Sequence, residues 1–206
     1  MQFYDLVGDV PPDFGPSAVT IGKFDGVHVG HRAVIDMLEG VARDEGLVST
    51  VVTFDRHPLA VLRPDDVPTA LVSNRQKRGL LDEAGVAATL MLTFDAELRA
   101  LTPDEFVDRI LVGALHARVV FVGDDFRFGV RGSGTVDLLI ALGARHGFEV
   151  VVMDDVAPGG DRRVSSTWVR EALAAGDVTR AAQLLGAPPT IRAEVVHGFQ
   201  RGRTLG

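Results

Sequence analysis

The 206-residue sequence predicts an α/β fold: a doubly wound, Rossmann-like sheet of five parallel strands with helices on both faces. Three observations predict it. Five short apolar runs, rich in valine and largely unbroken by polar residues, have the composition of strands covered on both sides. Between them lie segments of helical period carrying their own start and stop signals. The alternation runs from end to end, with no internal repeat and no low-complexity stretch.

The first strand is expected over Ala18 to Ile21. Val34, Ile35, Leu38, Val41 and Ala42 then recur at helical spacing, and Gly46 stops that helix. Val48 to Phe54 is the second strand, and Ser73 opens a helical pattern that ends at Gly85. Ala88 to Phe94 is the third. Thr102-Pro-Asp-Glu105 writes a capping box with proline at the first helical position, ahead of Phe106, Ile110 and Leu111. Val119 to Val122 is the fourth strand, Thr135 to His146 a helix closed by Gly147, and Phe148 to Met153 the fifth strand. Two shorter helices follow, Thr167 to Ala175 and Val178 to Leu185, divided by Gly176-Asp177. Gly186-Ala-Pro-Pro189 breaks the pattern. The remainder, Ile191 to Gly206, reads as one strand and a basic glycine turn, too little for a domain.

Composition bounds what such a fold could do. An apolar content of 46% suits one domain of ordinary size, and a second full domain does not fit in this length. With 21 basic and 28 acidic side chains the net charge is -7, which argues against coating nucleic acid or an anionic membrane. Positive charge is almost wholly arginine, with lysine only at Lys23 and Lys77, and the arginine excess as such carries no functional weight. No apolar run approaches the ~18 residues that span a bilayer, and the acidic, proline-containing start does not resemble a signal peptide, so a cytoplasmic location is expected. Without cysteine there are no disulfides or thiolate sites, and any metal must sit on oxygen or imidazole.

Ligands of doubly wound sheets bind beyond the carboxyl ends of the strands, and four segments there carry chemistry. Gly22-Lys-Phe-Asp-Gly-Val-His-Val-Gly-His31 runs from the first strand into the first helix. Its glycines admit a ligand to the backbone, and His28 and His31 stand at a helix entrance whose free N–H groups attract anions, the pattern of a phosphate site. A plain helix cap and a zinc pair are the rival readings, although no third zinc ligand is nearby. Thr53-Phe-Asp-Arg-His-Pro58 is a polar cluster ending the second strand, with His57 held extended by Pro58. Gly123-Asp-Asp-Phe-Arg-Phe-Gly129 offers carboxylates and aromatic rings suited to a flat heterocycle, or an acidic surface loop with Phe126 or Phe128 turned inward. In Val164-Ser-Ser-Thr-Trp-Val-Arg170 a serine can cap a helix while Arg170 lies one turn in, which makes a second anion site. Dinucleotide and P-loop fingerprints both fail: the first segment lacks Gly-x-Gly-x-x-Gly, and Gly129 to Thr135 has threonine where the phosphate-binding lysine belongs.

These four segments, in this order and at these separations, closely resemble the bacterial bifunctional riboflavin kinase/FMN adenylyltransferase (FAD synthetase) family. Within its wider nucleotidyltransferase superfamily, the His-x-Gly-His signature is here His28-Val-Gly-His31. The resemblance implies a nucleotidyltransferase-type fold and transfer of AMP from ATP to FMN, giving FAD and pyrophosphate, with Mg2+ bridging phosphates. It implies catalytic roles for His28, His31 and Arg170. ATP would be held by Gly22, Phe24, Asp25, Gly26, His28, His31, Ser165, Ser166, Thr167 and Arg170, and FMN by His57, Pro58, Asp125, Phe126 and Phe128, with Asp125 a possible metal contact. Residues 1–186 would be the adenylyltransferase domain and 187–206 a linker with the start of a riboflavin kinase domain, into which the native chain continues. Small-molecule substrates are expected, and neither nucleic acid nor membrane. Three alternatives stay open: a relative acting on phosphopantetheine or nicotinamide mononucleotide, a non-catalytic nucleotide-binding module, and a histidine-carboxylate metallohydrolase.

Overall fold

The computed structural model describes residues 1–153 and 162–194. Its strands are β1 (Gln2–Tyr4), β2 (Ser17–Ile21), β3 (Val48–Phe54), β4 (Ala88–Leu92), β5 (Ala117–Gly123) and β6 (Glu149–Met153). All pair in parallel in one sheet of order β1-β4-β3-β2-β5-β6. The sheet has six strands, not the expected five. The extra one, β1, sets Gln2 beside Ala88 and Tyr4 beside Leu90 at the edge, and three residues with one polar side chain give no periodic signal to read.

The helices are α1 (Val29–Glu45), α2 (Leu59–Leu62), α3 (Asn74–Glu83), α4 (Ala96–Ala100), α5 (Pro103–Phe106), α6 (Val136–His146), α7 (Ser166–Ala174) and α8 (Val178–Leu185). Caps fall where the sequence puts them. Ser73 accepts the Gln76 N–H, Thr102 that of Glu105 and Thr135 that of Leu138, and Gly46 leaves α1 at φ 68°. α5 continues into a π-helical turn, Val107–Val112, that carries Ile110 and Leu111 into the core.

Alternate residues of each strand face opposite layers. Val19, Val52, Leu90, Val120 and Val122 meet Phe106, Ile110, Leu111, Leu139 and Leu142 on one side. Ala18, Val51, Val119 and Phe121 meet Ile35, Leu38, Ala42 and Leu81 of α1 and α3 on the other. Burial on both faces is why these strands read as unbroken apolar runs. α7 and α8 form a smaller third cluster around Val164, Val169, Ala181 and Leu184.

From β2 the chain winds outward to β3 and β4 on one side, then returns to β5 and β6 on the other. The strand order therefore reverses between β2 and β5, where such sheets open a crevice at their carboxyl ends. Residues 191–194 have no regular structure, so no strand begins there, and the rest of the expected tail lies outside the described residues. No described helix is long and apolar enough to cross a membrane.

Candidate active site

The loop after β2 is shaped by backbone rather than by bulk. Phe24 and Val27 take positive φ (49° and 41°), a costly conformation for side chains with a Cβ, and Gly26 sits between them at φ 84°. A Cβ on Gly26 would lie 2.9 Å from Leu71. The loop ends on His28, the N-cap of α1, whose Nδ1 accepts the His31 N–H at 3.3 Å. In the neutral ring the proton is then on Nε2, which remains a free donor. Gly30 makes this possible, because a Cβ there would stand 3.2 Å from the His28 ring.

The two imidazoles stack, with centroids 3.7 Å apart and planes at 18°, and Phe24 backs His31 at 4.8 Å. Burial pushes the His28 pKa down to about 4, helped by Arg163. Burial also holds His31 well below its ordinary value, with His28, Lys23, Lys77 and Arg163 adding to the effect. Both rings are neutral at pH 7. His31 Nδ1 is buried without a hydrogen-bond partner among the described residues, a cost that stability alone does not explain.

The start of α7 meets this loop. Ser165 caps the helix by accepting the Trp168 N–H (3.2 Å), and Ser166 Oγ donates to the Asp25 carbonyl (2.9 Å). Arg170 pairs with the Asp25 carboxylate through Nη2 and donates from Nε to the Thr69 carbonyl (2.6 Å). Asp25 Oδ1 in turn accepts the Leu71 N–H at 3.0 Å, so α7, the loop after β2 and residues 69–72 are tied into one unit. Thr167 is exposed beside them.

Beyond β3, His57 Nδ1 accepts the Leu59 N–H at 3.2 Å. Burial lowers its pKa, reinforced by Lys23 and Arg170. It borders a cavity of about 440 Å3 that Lys23, Asp25, Phe54, Thr69 and Lys77 also line. Beyond β5, Asp125 is exposed and ion-paired with Arg163 at 3.2 Å.

The structure thus gathers Gly22, Phe24, Asp25, Gly26, His28, His31, Ser165, Ser166 and Arg170 at the loop after β2 and the start of α7, with His57 on the adjoining cavity. Other sequence candidates stand apart. Phe128 is in the core against Phe106, with ring centroids 5.7 Å apart, because an isolated bridge to Gly134 turns the loop inward. Phe126 stacks on Phe128 at 5.6 Å, and Pro58 opens α2 without lining the cavity. Arg163 and Lys77, outside the four motifs, and Lys23, inside the first but without a role assigned to it there, also act electrostatically on the histidines. For Arg163 the available signal was its place two residues before the Ser165 cap.

Comparisons with known proteins agree with this geometry. The family model for FAD synthetase matches residues 11–168. Two curated relatives, each a bifunctional riboflavin kinase/FMN adenylyltransferase, are 41% identical: one from Escherichia coli K12 over 91% of the chain and one from Pseudomonas fluorescens over 100%. The chain spans 60% and 66% of their respective lengths. A solved structure named as a macrolide-efflux protein from Streptococcus pneumoniae superposes with a TM-score of 0.86 at 29% identity, covering 100% of this chain and 66% of that one. The pantoate-beta-alanine ligase of Francisella tularensis, at 14% identity and a TM-score of 0.57 over 90% of this chain and 78% of its own, shares the fold. With a matching family model across most of its length, and with the glycine loop, the stacked histidines and the capped α7 arranged around one crevice, the chain belongs to the FAD synthetase family.

Proposed function

We propose that this chain is an FMN adenylyltransferase of the cytoplasm, whose substrates are the small molecules ATP and FMN. The observation that carries the reading is the neutral, stacked pair His28 and His31 at the N-terminus of α1, facing the N-terminus of α7, in a chain of the FAD synthetase family. An oxygen of the FMN phosphate attacks the α-phosphorus of ATP, the bond from that phosphorus to the bridging oxygen breaks, and pyrophosphate leaves. The substrate brings its own nucleophile, so the protein's work is alignment and stabilisation of shifting charge.

Donors aimed at developing charge suit a neutral imidazole. His28 Nε2–H is such a donor, left over once Nδ1 accepts the His31 N–H, while Gly22, Phe24, Asp25 and Gly26 shape the cradle for the ATP phosphates. Ser165, Ser166, Thr167 and the free N–H groups of α7 receive the departing β and γ phosphates. Arg170 supports them by fixing Asp25 and residue 69 in place. His57 and its cavity form the flavin side, while Pro58, Asp125, Phe126 and Phe128 lie outside that cavity's lining. A magnesium ion accompanying ATP would be held through the nucleotide's phosphates, with the exposed Asp125 carboxylate as the chain's candidate contact. When bound, magnesium neutralises phosphate charge.

The domain reading follows. Residues 1–186 are the adenylyltransferase domain and 187–206 lead into a riboflavin kinase domain, as the names of the curated relatives suggest. Mixing the chain with ATP, Mg2+ and FMN, and resolving flavins by chromatography, tests the activity: FAD and equimolar pyrophosphate are expected. Their absence with folded protein would sink it.

A further inference from the structure

Of 21 lysine and arginine side chains only Lys23 and Lys77 are lysines. They come from separate elements, the loop after β2 and the early part of α3, and both line the cavity of about 440 Å3 at the end of β3. Lys77 is 7% exposed. Its ammonium donates to the Phe54 carbonyl at 2.9 Å, one bond for a group with three protons, and among the described residues neither lysine forms an ion pair. The carboxylates of the same lining are already matched by guanidinium groups: Asp55 with Arg56 at 2.7 Å, and Asp25 with Arg170. Two positive charges are therefore left in a partly enclosed cavity. Burial lowers the Lys77 pKa, opposed by Asp25 and Asp55.

A buried cation without a charged partner is costly, and the cost is relieved by an anion that binds there. Position narrows the choice. Lys23 and Lys77 line the cavity beside His57 and are close enough to act electrostatically on both His31 and His57. The ATP phosphates have two helix N-termini of their own. What is missing from that arrangement is a receptor for a second phosphate, one that is dianionic near neutral pH. A compact ammonium acts on a phosphate oxygen as a point charge and leaves neighbouring oxygens uncovered, whereas a guanidinium fork covers two.

We infer that Lys77, with Lys23 at the exposed rim, binds the terminal phosphate of FMN and turns an uncovered oxygen toward the α-phosphorus of ATP. This rests on the adenylyltransferase reading. The dianion attacks directly, so no proton has to leave the nucleophile.

Binding tests it without turnover. Lys77→Gln removes the charge and keeps an N–H for Phe54, and Lys23→Gln alters only the rim. Flavin fluorescence titration of the folded chain gives Kd for FMN and for riboflavin, which lacks the phosphate, and calorimetry gives Kd for ATP. Lys77→Gln should weaken FMN by about 10- to 100-fold and leave riboflavin and ATP within about twofold, with Lys23→Gln shifting FMN in the same direction by less. An FMN-to-riboflavin ratio unchanged by Lys77→Gln, or equal losses for riboflavin and ATP, overturns the inference. Should Lys77→Gln not fold, an unchanged ratio in Lys23→Gln overturns it. If the wild-type chain makes FAD while the ratio stays fixed in both variants, only the lysine assignment fails. If the wild-type chain makes no FAD but Lys77→Gln abolishes the preference for FMN, the reaction is wrong and the phosphate receptor stands.

Discussion

Arg170 reaches back from α7 to pair with Asp25 in the loop after β2, and neither side chain is more than 20% exposed. The pair is thus largely shielded from water, and each partner also holds backbone: Arg170 the Thr69 carbonyl, Asp25 the Leu71 N–H. Removing one partner leaves the other charge uncompensated. Asp25→Ala and Arg170→Ala should each cost about 2 to 4 kcal/mol, a fall in Tm of ~5 to 15 °C. Thermal unfolding of both single variants and the double variant should show a coupling of at least ~1 kcal/mol. A coupling near zero would make the contact incidental.

His28→Ala and His31→Ala should each lower FAD formation about 100- to 1000-fold with the fold intact, the usual cost of removing a donor aimed at developing charge. Steady-state rates alongside circular dichroism check this. Near wild-type rates in both would remove the histidines from the chemistry.

Gly30→Ala puts the question sterically. The added Cβ would stand 3.2 Å from the His28 ring, which must tilt to make room. We expect a loss in kcat of about 10- to 100-fold, with the KM for FMN little changed, since misplacement of a catalytic group is felt mainly in the transition state.

The histidines also set a pH dependence of stability. Their folded pKa values lie below the unfolded value of about 6.5, so as pH falls the unfolded chain takes up protons first. Stability is full above pH ~6.5 and declines on the way down to about 4, where folded His28 titrates, at up to ~1.4 kcal/mol per pH unit for each ring. Melting temperatures between pH 7 and pH 5 should fall for wild type and fall less for a His28→Asn/His31→Asn double variant. Parallel curves would contradict the burial of the rings as neutral groups.

Gly143→Ala runs against the usual helix preference. Alanine normally stabilises a helix interior relative to glycine, yet here its Cβ would meet the Phe148 carbonyl at 2.6 Å. A net loss of about 1 to 3 kcal/mol in chemical denaturation is expected. A gain would show that α6 can shift away from β6 at little cost.

Legibility in the sequence follows the range of the interactions. β2 to β6 could be read because burial on both faces leaves their apolar runs uninterrupted, whereas β1 is three residues long, and α2 and α4 hold about one turn each and present no period. Caps are local chemistry, so Ser73, Thr102, Thr135 and Ser165 announce themselves. The Asp25–Arg170 contact spans 145 positions and depends on where α7 lands against the end of β2, which no local pattern encodes. Phe128 shows the same limit in reverse. Its motif suggests a ring offered to a ligand, while the bridge between Phe128 and Gly134 turns it into the core. Lysine scarcity was visible from the start, but its meaning needed the fold that brings residues 23 and 77 to one cavity.

α7 and α8 pack mainly on each other, and the polar ties that join α7 to the body run through Ser166 and Arg170 to Asp25 and Thr69. Such a helical pair is suited to opening as a cooperative unit while the sheet stays hydrogen-bonded. In native-state hydrogen exchange its amides should share one opening free energy, lower than that of β2, β3 and β5. Low denaturant would then extinguish catalysis before the far-ultraviolet signal of the sheet changes. During synthesis the same arrangement means that the ribosome has released nearly all of residues 1–186 before α7 can reach the loop after β2, so a nascent chain stalled short of α7 would carry a formed sheet and an incomplete crevice.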